Sequence, residues 1–558
     1  MYGKYWKRRY SFKYLIASLL LCISLILFWL LNNSVSKKDL QIQIQSQRQS
    51  QRQQLNEKLE LGNVFTESVE HKIENKEISL YESIFEKIIE NQPKVHIGSK
   101  SDITPVTGLT RDSLEKSIRY PDVFLKEVKR SVKLLVDYLN HNVDIEKVLE
   151  MNDDPEPGAV FLGGTENDST WMSLISVSIF RKIGGTIPIE VMIPTRKEYL
   201  ADKAICEKYL KSLNAHCVVV EDKLQLKTTG RILNNYSKIK RELAIISSRF
   251  SKMIVMTPDV MILKPIKETL FDFELFQKHG LITWSDLESR TTHPSFYDII
   301  NCKISDSVHS LKGFRLPKEA WQKGSTEDAL HDFDGTLPYK STCNDILMID
   351  KSIHFKSVLL SLFYSYYLDG VFESLLSING KASTETLIAA AQTLRLPYYQ
   401  TNIEKQVTGS LYEGEFHTVG ELYFDPNTDI ISHDRYLEKM QNKAGYEINA
   451  HNYNVWLDES SSRKSALFLK VVERLTPVEL FGKGVNLKPN GDRVNLFGKS
   501  VHFQKNFEVN LWKSINDYTC NYEFECDYLE KSFNSQPAEL KAFCEHTMKP
   551  HMTWLSNF

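Results

Sequence analysis

The chain has 558 residues, 42% hydrophobic and 25% charged, ordinary globular values that exclude a wholly disordered, collagen-like or many-spanning membrane chain. At roughly 150 residues per domain the length implies more than one unit. With 69 basic and 71 acidic residues the formal net charge is -2, so no global field draws the chain to nucleic acid and any charge-based partner must be local.

Lys4, Lys7, Arg8, Arg9 and Lys13 precede the first acidic residue, Asp39. Residues 14–31 then read YLIASLLLCISLILFWLL without a charge. As a helix they rise about 27 Å, close to the ~30 Å hydrocarbon core of a bilayer. This predicts a cytosolic tail at 1–13, a transmembrane signal-anchor at 14–31 and a lumenal remainder. The alternative is a cleaved signal peptide with a small-residue site at Ser34-Val-Ser36, but the apolar run is longer than its usual apolar region.

Cysteines 206, 217, 302, 343, 520, 526 and 544 follow the span. In an oxidising compartment their odd number leaves at least one free or paired between chains, and no spacing suits a structural zinc. Sequons begin at Asn32, Asn167 and Asn235. The last two are candidate N-glycosylation sites, while Asn32 is close to the membrane.

Residues 41–54 read QIQIQSQRQSQRQQ, and no sustained apolar face follows until about residue 101. Such a stretch cannot bury enough surface to offset its chain entropy, so 32–110 is expected to be a stem. Gln-rich aggregation is the alternative for 41–54, opposed by the interleaved arginines.

Folded sequence is expected over 111–460. Val123 to Leu139 has helical apolar spacing. Ala159 to Leu162 then reads as a buried strand ending in Gly163-Gly164-Thr165, followed by a helix over 169–182 and a strand over 188–193. A second helix around Glu198 to Leu210 leads to a strand at 216–220. This β-α-β-α-β order predicts an α/β fold with a parallel, doubly wound sheet.

Ligands bind outside the carboxyl ends of such strands, which makes Gly163, Gly164 and Thr165 candidate donor-binding residues. A glycine pair after a strand is also an ordinary turn. Neither GxGxxG nor GxxxxGK[ST] occurs. A helix over 238–250 then enters the apolar strand 253–256, which runs into Thr257-Pro258-Asp259. A carboxylate at the end of a buried strand must be paired or bind a cation, unless it merely caps a turn.

These blocks resemble the fungal Golgi α-1,3-mannosyltransferase family. The resemblance is carried by FLGGTENDSTWMSLISVSIFRKIGGTIPIEVMIP, KRELAIISSRFSKMIVMTPDVMILKP, HGLITWSD, NDILMIDKSIHF, ASTETLIAAAQTLRLPYYQ and LYFDP followed by NAHNYNVW, over roughly 155–456. It implies a single-pass type II Golgi membrane enzyme with a GT-A-like lumenal domain. That enzyme would use GDP-mannose and usually Mn²⁺ to extend O-linked or N-linked mannose chains on a mannosylated glycoprotein acceptor. Asp259 matches the second Asp of the family's Asp-x-Asp, the metal contact, while Thr257 replaces the first and is left with a ribose contact. Arg241 is the implied phosphate cation, and Asp286 matches the Trp-x-Asp segment. Glu385 falls in a segment where Ser383 and Thr384 replace charged residues, and His451 is the implied further metal ligand or an ordinary surface histidine.

An α-linked donor and an α-mannoside product mean retention. The acceptor hydroxyl either attacks on the leaving-group face or follows a carboxylate nucleophile, for which Asp286 and Glu385 are the candidates. The lost charges at 257, 383 and 384 keep a second reading open, a catalytically weak mannan-binding or complex-forming subunit. Another nucleotide-sugar donor is a third. Asp332-Phe333-Asp334 is a second Asp-x-Asp that could supply a metal pair, but with no buried strand before it and Gly335 after it a surface turn is expected, as for Asn152-Asp153-Asp154. Residues 461–558 are expected to be an appended lumenal segment.

Overall fold

The computed structural model describes residues 81–95, 104, 106–150, 156–164, 169–224, 235–266, 268–412, 415–429, 466–471, 507–520, 527–533 and 536–557. All fall in the unit Glu77–Phe558, which is separate from Met1–Lys76. The expected tail and span, most of the stem, Thr165, Asn167, the 152–154 cluster and His451 lie outside the described residues. Among the described residues no helix is long and apolar enough to cross a membrane.

Helix α1 (Asp122–Asn142) buries Val128, Val132, Leu135 and Leu139 of the expected apolar spacing, whereas Val123 is exposed and its neighbour Phe124 is buried instead. Strand β1 (Gly158–Leu162), helix α2 (Ser169–Lys182), strand β2 (Ile189–Ile193) and strand β3 (Ala215–Val219) follow in the expected order. Both β1 and β2 are buried throughout, as continuous apolar runs covered on both faces must be. The single helix expected around 198–210 is instead a short helix, Arg196–Ala201, and a π-helical stretch, Ile205–Leu210. Cys206 in that stretch is disulfide-bonded to Cys217 of β3.

Helix α3 (Tyr236–Ser247) leads into β4 (Lys252–Met256), and β5 (Val260–Ile262) follows the Thr257-Pro258-Asp259 turn. Strand β6 (Leu281–Ser289) precedes four short strands, β7 (Ser307–Val308), β8 (Ser310–Leu311), β9 (Phe314–Arg315) and β10 (Gln322–Lys323). Then come β11 (Lys340–Asp350), helix α4 (Lys351–Tyr366), helix α5 (Thr386–Leu394) and β12 (Tyr399–Gln400). Strands β13 (Gln406–Tyr412), β14 (Glu415–Phe424) and β15 (Ala466–Val471), and helix α6 (Phe507–Cys520), complete the frame.

The main sheet has the order β12-β6-β11-β4-β1-β2-β3. Its β4-β1-β2-β3 half is parallel, as expected, but β11 runs antiparallel to both β4 and β6. The sheet is therefore mixed. Strand β6 consequently runs with β4, and β12 runs with β6, so the carboxyl ends of β1, β4, β6 and β12 share one edge.

A second sheet, β13-β14-β15-β5, starts where the chain leaves that edge. Strand β15 pairs with β5 and sets Lys470 opposite Val260. Helix α6 packs on α2, where Lys182 Nζ reaches Ser514 Oγ at 2.9 Å and Asp517 at 3.0 Å. Leu511, Trp512 and Ile515 share one apolar core with Phe161 and Trp171. Strand β15 and helix α6, both beyond residue 460, thus cover surfaces that β5 and α2 would otherwise expose.

Candidate functional site

The turn after β4 is built by short-range bonds. Thr257 N–H donates to the Asp345 carbonyl at 2.9 Å, and the Thr257 hydroxyl donates to Asp259 Oδ1 at 2.5 Å. The side chain replacing the first Asp is thus occupied with the second. Burial pushes the Asp259 carboxyl up, opposed by the Lys470 ammonium and the Thr257 hydroxyl and reinforced by Asp345.

Asp345 gives this edge its second carboxylate, which sequence reading missed. Its Oδ1 accepts from Lys470 Nζ at 2.7 Å, and its Oδ2 lies 2.9 Å from the Tyr423 hydroxyl and 3.2 Å from Cys343 Sγ. Burial alone would lower the Lys470 pKa, but Asp345 and Asp259 outweigh it and hold the ammonium above its ordinary range. The one available signal was Asn344-Asp345 directly before the apolar run ILMI, where a half-buried carboxylate favours a partner.

From Tyr423 the polar chain continues along the edge. Its hydroxyl is 3.0 Å from Glu421, Glu421 bonds Lys405 at 2.9 Å, and Lys405 bonds Asp286 at 3.0 Å. Burial pulls the Asp286 carboxyl up, yet the Leu287 N–H and Lys405 prevail and leave it below the usual carboxylate range. Asp286 is therefore an ionised, half-buried carboxylate at the edge, as a nucleophile or oxocarbenium partner must be.

Arg241 and Glu385 sit elsewhere in the architecture. Arg241, buried on α3, donates to Asn344 Oδ1, Glu242 Oε1 and Thr386 Oγ1, each at 2.9 Å. It braces the residue next to Asp345 and does not face outward as a phosphate cation would. Glu385 is 1% exposed and ion-paired with fully buried Arg290, and it accepts from the Thr342 N–H and hydroxyl at 2.9 Å each. Arg290 also donates to the Pro338 and Lys340 carbonyls and to Gln400. These groups lock β6, β11, β12 and the start of α5 together, and no open face remains for an attacking carboxylate.

The glycines expected at the donor have a nearer cause. A Cβ on Gly164, whose φ is +77°, would lie 2.1 Å from Pro194 Cδ, and one on Gly163 would lie 2.9 Å from the Met192 carbonyl. Close approach of the chain leaving β2 already requires them. Asn235 precedes α3 at intermediate exposure.

The Asp332 expectation is overturned. Asp332 is 4% exposed and accepts from Ser310 Oγ at 2.6 Å, Lys312 N at 2.8 Å and Gly313 N at 3.0 Å. It clamps the β8–β9 hairpin, whose Lys312 and Gly313 both have positive φ, a conformation that leaves adjacent N–H groups pointing at one acceptor. Asp334 is exposed.

For Mn²⁺ the described donor set falls short. Hard divalent ions take about six oxygens, whereas Asp345 is already engaged by an ammonium and a phenol and Thr257 donates to Asp259. Among the described residues no group of three or more His, Cys, Asp or Glu could hold a metal.

Residues 156–429 match a family model described as a putative mannosyltransferase. The α-1,2-mannosyltransferase MNN2 of Saccharomyces cerevisiae is 28% identical over 403 residues, 67% of this chain and 66% of that protein. The chain thus spans just under two thirds of that relative. The α-1,2-mannosyltransferase MNN5 of the same yeast is 25% identical over 440 residues, 72% of this chain and 73% of that protein. A galactosyltransferase solved with donor and acceptor sugar analogs gives a TM-score of 0.22 at 13% identity, over 39% of this chain and 70% of that one. That likeness carries no argument. These relatives are named α-1,2-mannosyltransferases, where the resemblance implied an α-1,3 linkage.

Proposed function

We propose that the chain is a retaining α-mannosyltransferase that moves mannose from GDP-mannose to a mannosylated glycoprotein acceptor. The observation that carries this is Asp259 at the end of β4, inside the matched range, joined to Asp345, Lys470 and ionised Asp286 along the carboxyl edge. Ligands of open α/β sheets bind at that edge. The relatives' names favour an α-1,2 product, and the proposal takes that linkage in place of α-1,3. The domain is proposed to be GT-A-like, with residues 14–31 as its anchor in the Golgi membrane, supported by the charge asymmetry around that apolar run.

In this reading the sugar develops oxocarbenium character near Asp286, whose fixed negative charge stabilises it. The departing diphosphate takes the proton of the acceptor hydroxyl. Lys405 and Thr257 position the groups beside the reacting centre. The test is GDP release from GDP-mannose by the full chain in detergent, with and without a mannoside, and digestion of the product with a linkage-specific mannosidase. Acceptor-dependent release of a labelled α-1,2 product is expected. Absence of acceptor-dependent release would overturn the reading.

A further inference from the structure

We propose that the pocket between the β8–β9 hairpin and the end of β12 is the subsite for a neutral pyranoside, the terminal mannose of the acceptor. The inference rests on the mannosyl-transfer reading and assigns its second substrate a place.

The cavity measures about 270 Å³ and is walled by Lys312, Arg315, Tyr339, Lys340, Asn402 and Glu404 among others. Pockets for drug-sized ligands run roughly 300–1,000 Å³, so this one suits a single sugar ring. Its position follows from topology. Asn402 and Glu404 leave β12 at its carboxyl end, and Lys340 opens the antiparallel β11 at that same edge. Glu404 is next in sequence to Lys405, which bonds Asp286. The pocket therefore adjoins the polar chain that ends at Asp286, on the β12–β6 side of the sheet, whereas Asp259 follows β4.

Its lining combines three cations, Lys312, Arg315 and Lys340, with the Glu404 carboxylate and neutral hydrogen-bonding groups. Lys340 is neutralised by Glu404 at 2.6 Å. The Arg315 guanidinium lies 4.4 Å from the Tyr399 ring centroid and donates to the Gln400 carbonyl at 3.0 Å. What remains is a close mixture of donors and acceptors, as vicinal hydroxyls require. The Asn402 side-chain amide donates to Asp429 at 3.3 Å. At the rim His309 packs against Trp321, a 37% exposed indole, and such a face suits the apolar side of a pyranose ring.

The walls are also preorganised. Buried Asp332 fixes the hairpin from behind, and the Arg290–Glu385 pair holds Pro338, Lys340 and Gln400 in place. Two buried charge clusters that take no direct part at the Asp259 turn thus both brace this cavity. A rigid site loses less ordering entropy on binding.

The test uses the full chain in detergent and an α-linked mannobiose as the probe. Calorimetric affinity is measured without donor, and Michaelis constants are measured for mannobiose and for GDP-mannose. Removing one polar contact typically weakens binding by up to about ten-fold. Tyr339→Ala and Asn402→Ala, each checked for an unchanged melting temperature, should therefore weaken mannobiose binding several-fold to ten-fold and raise its Michaelis constant in parallel. The Michaelis constant for GDP-mannose should stay within two-fold. Unchanged mannobiose affinity in both folded variants overturns the assignment, as does displacement of mannobiose by GDP or a selective rise in the GDP-mannose constant. If wild type binds mannobiose through these residues but transfers nothing, the subsite stands and the transferase reading fails. If it neither binds nor transfers, both fall.

Discussion

Lys470 places its ammonium 2.7 Å from Asp345 Oδ1, bringing a strand of the second sheet onto the edge of the first. It also faces Asp259 electrostatically, so one lysine balances two carboxylates at the head of β4. Lys470→Met keeps the stem and removes that charge. The freed pair should then attract a divalent ion, raising the Mn²⁺ affinity of the full chain at least ten-fold in a spin-resonance titration. An unchanged affinity would mean that the two carboxylates do not share one field.

Asp259→Asn keeps the size of the side chain and removes its charge. Loss of a directed electrostatic contact in such a site costs about 10²-fold or more in turnover. Mannose transfer should fall accordingly while the melting temperature stays within a few degrees. Normal turnover in the folded variant would move the reacting centre away from the β4 turn.

Glu385 separates a structural role from a chemical one. Breaking a buried ion pair by removing one partner costs about 3–5 kcal/mol, while replacing both partners with apolar groups can be neutral. Glu385→Gln should therefore destabilise the protein strongly in thermal melts. Arg290→Met with Glu385→Leu should recover part of that loss, although polar groups around the pair remain. A stable but inactive Glu385→Gln would restore the nucleophile reading.

Asp332 and Asp334 should behave differently despite lying two residues apart. Asp332→Asn loses charge and one acceptor at a buried clamp on three donors, a change of about 1–3 kcal/mol. Asp334→Asn, at an exposed position, should stay within about 0.5 kcal/mol. Urea denaturation midpoints distinguish the two.

Burial pushes His279 down to about 4 and His331 to about 3 from the ordinary 6.5. A histidine with a depressed folded pKa takes up its proton first in the unfolded chain, so its contribution is full above pH 6.5 and is lost as pH falls toward those values. Melting temperature should drop between pH 7 and pH 5. His331→Asn should show a shallower drop, and an equal slope would remove His331 as a cause.

The sequence by itself determined the alternation of elements from β1 to β4. Runs such as GAVFL and IEVMI can be satisfied only as buried strands, and the helical spacing of 123–139 allows one buried face. It also singled out Asp259, since a carboxylate closing an apolar strand is costly unless partnered. Only the tertiary structure decided which partners those are. Lys470 and Asp345 arrive on strands distant in sequence, and register, invisible to local periodicity, sets Lys470 opposite Val260. For the same reason Arg241, Glu385 and Asp332 read as site or surface charges but are buried clamps. A side chain's charge is written in the sequence, whereas its burial depends on which distant strands close over it.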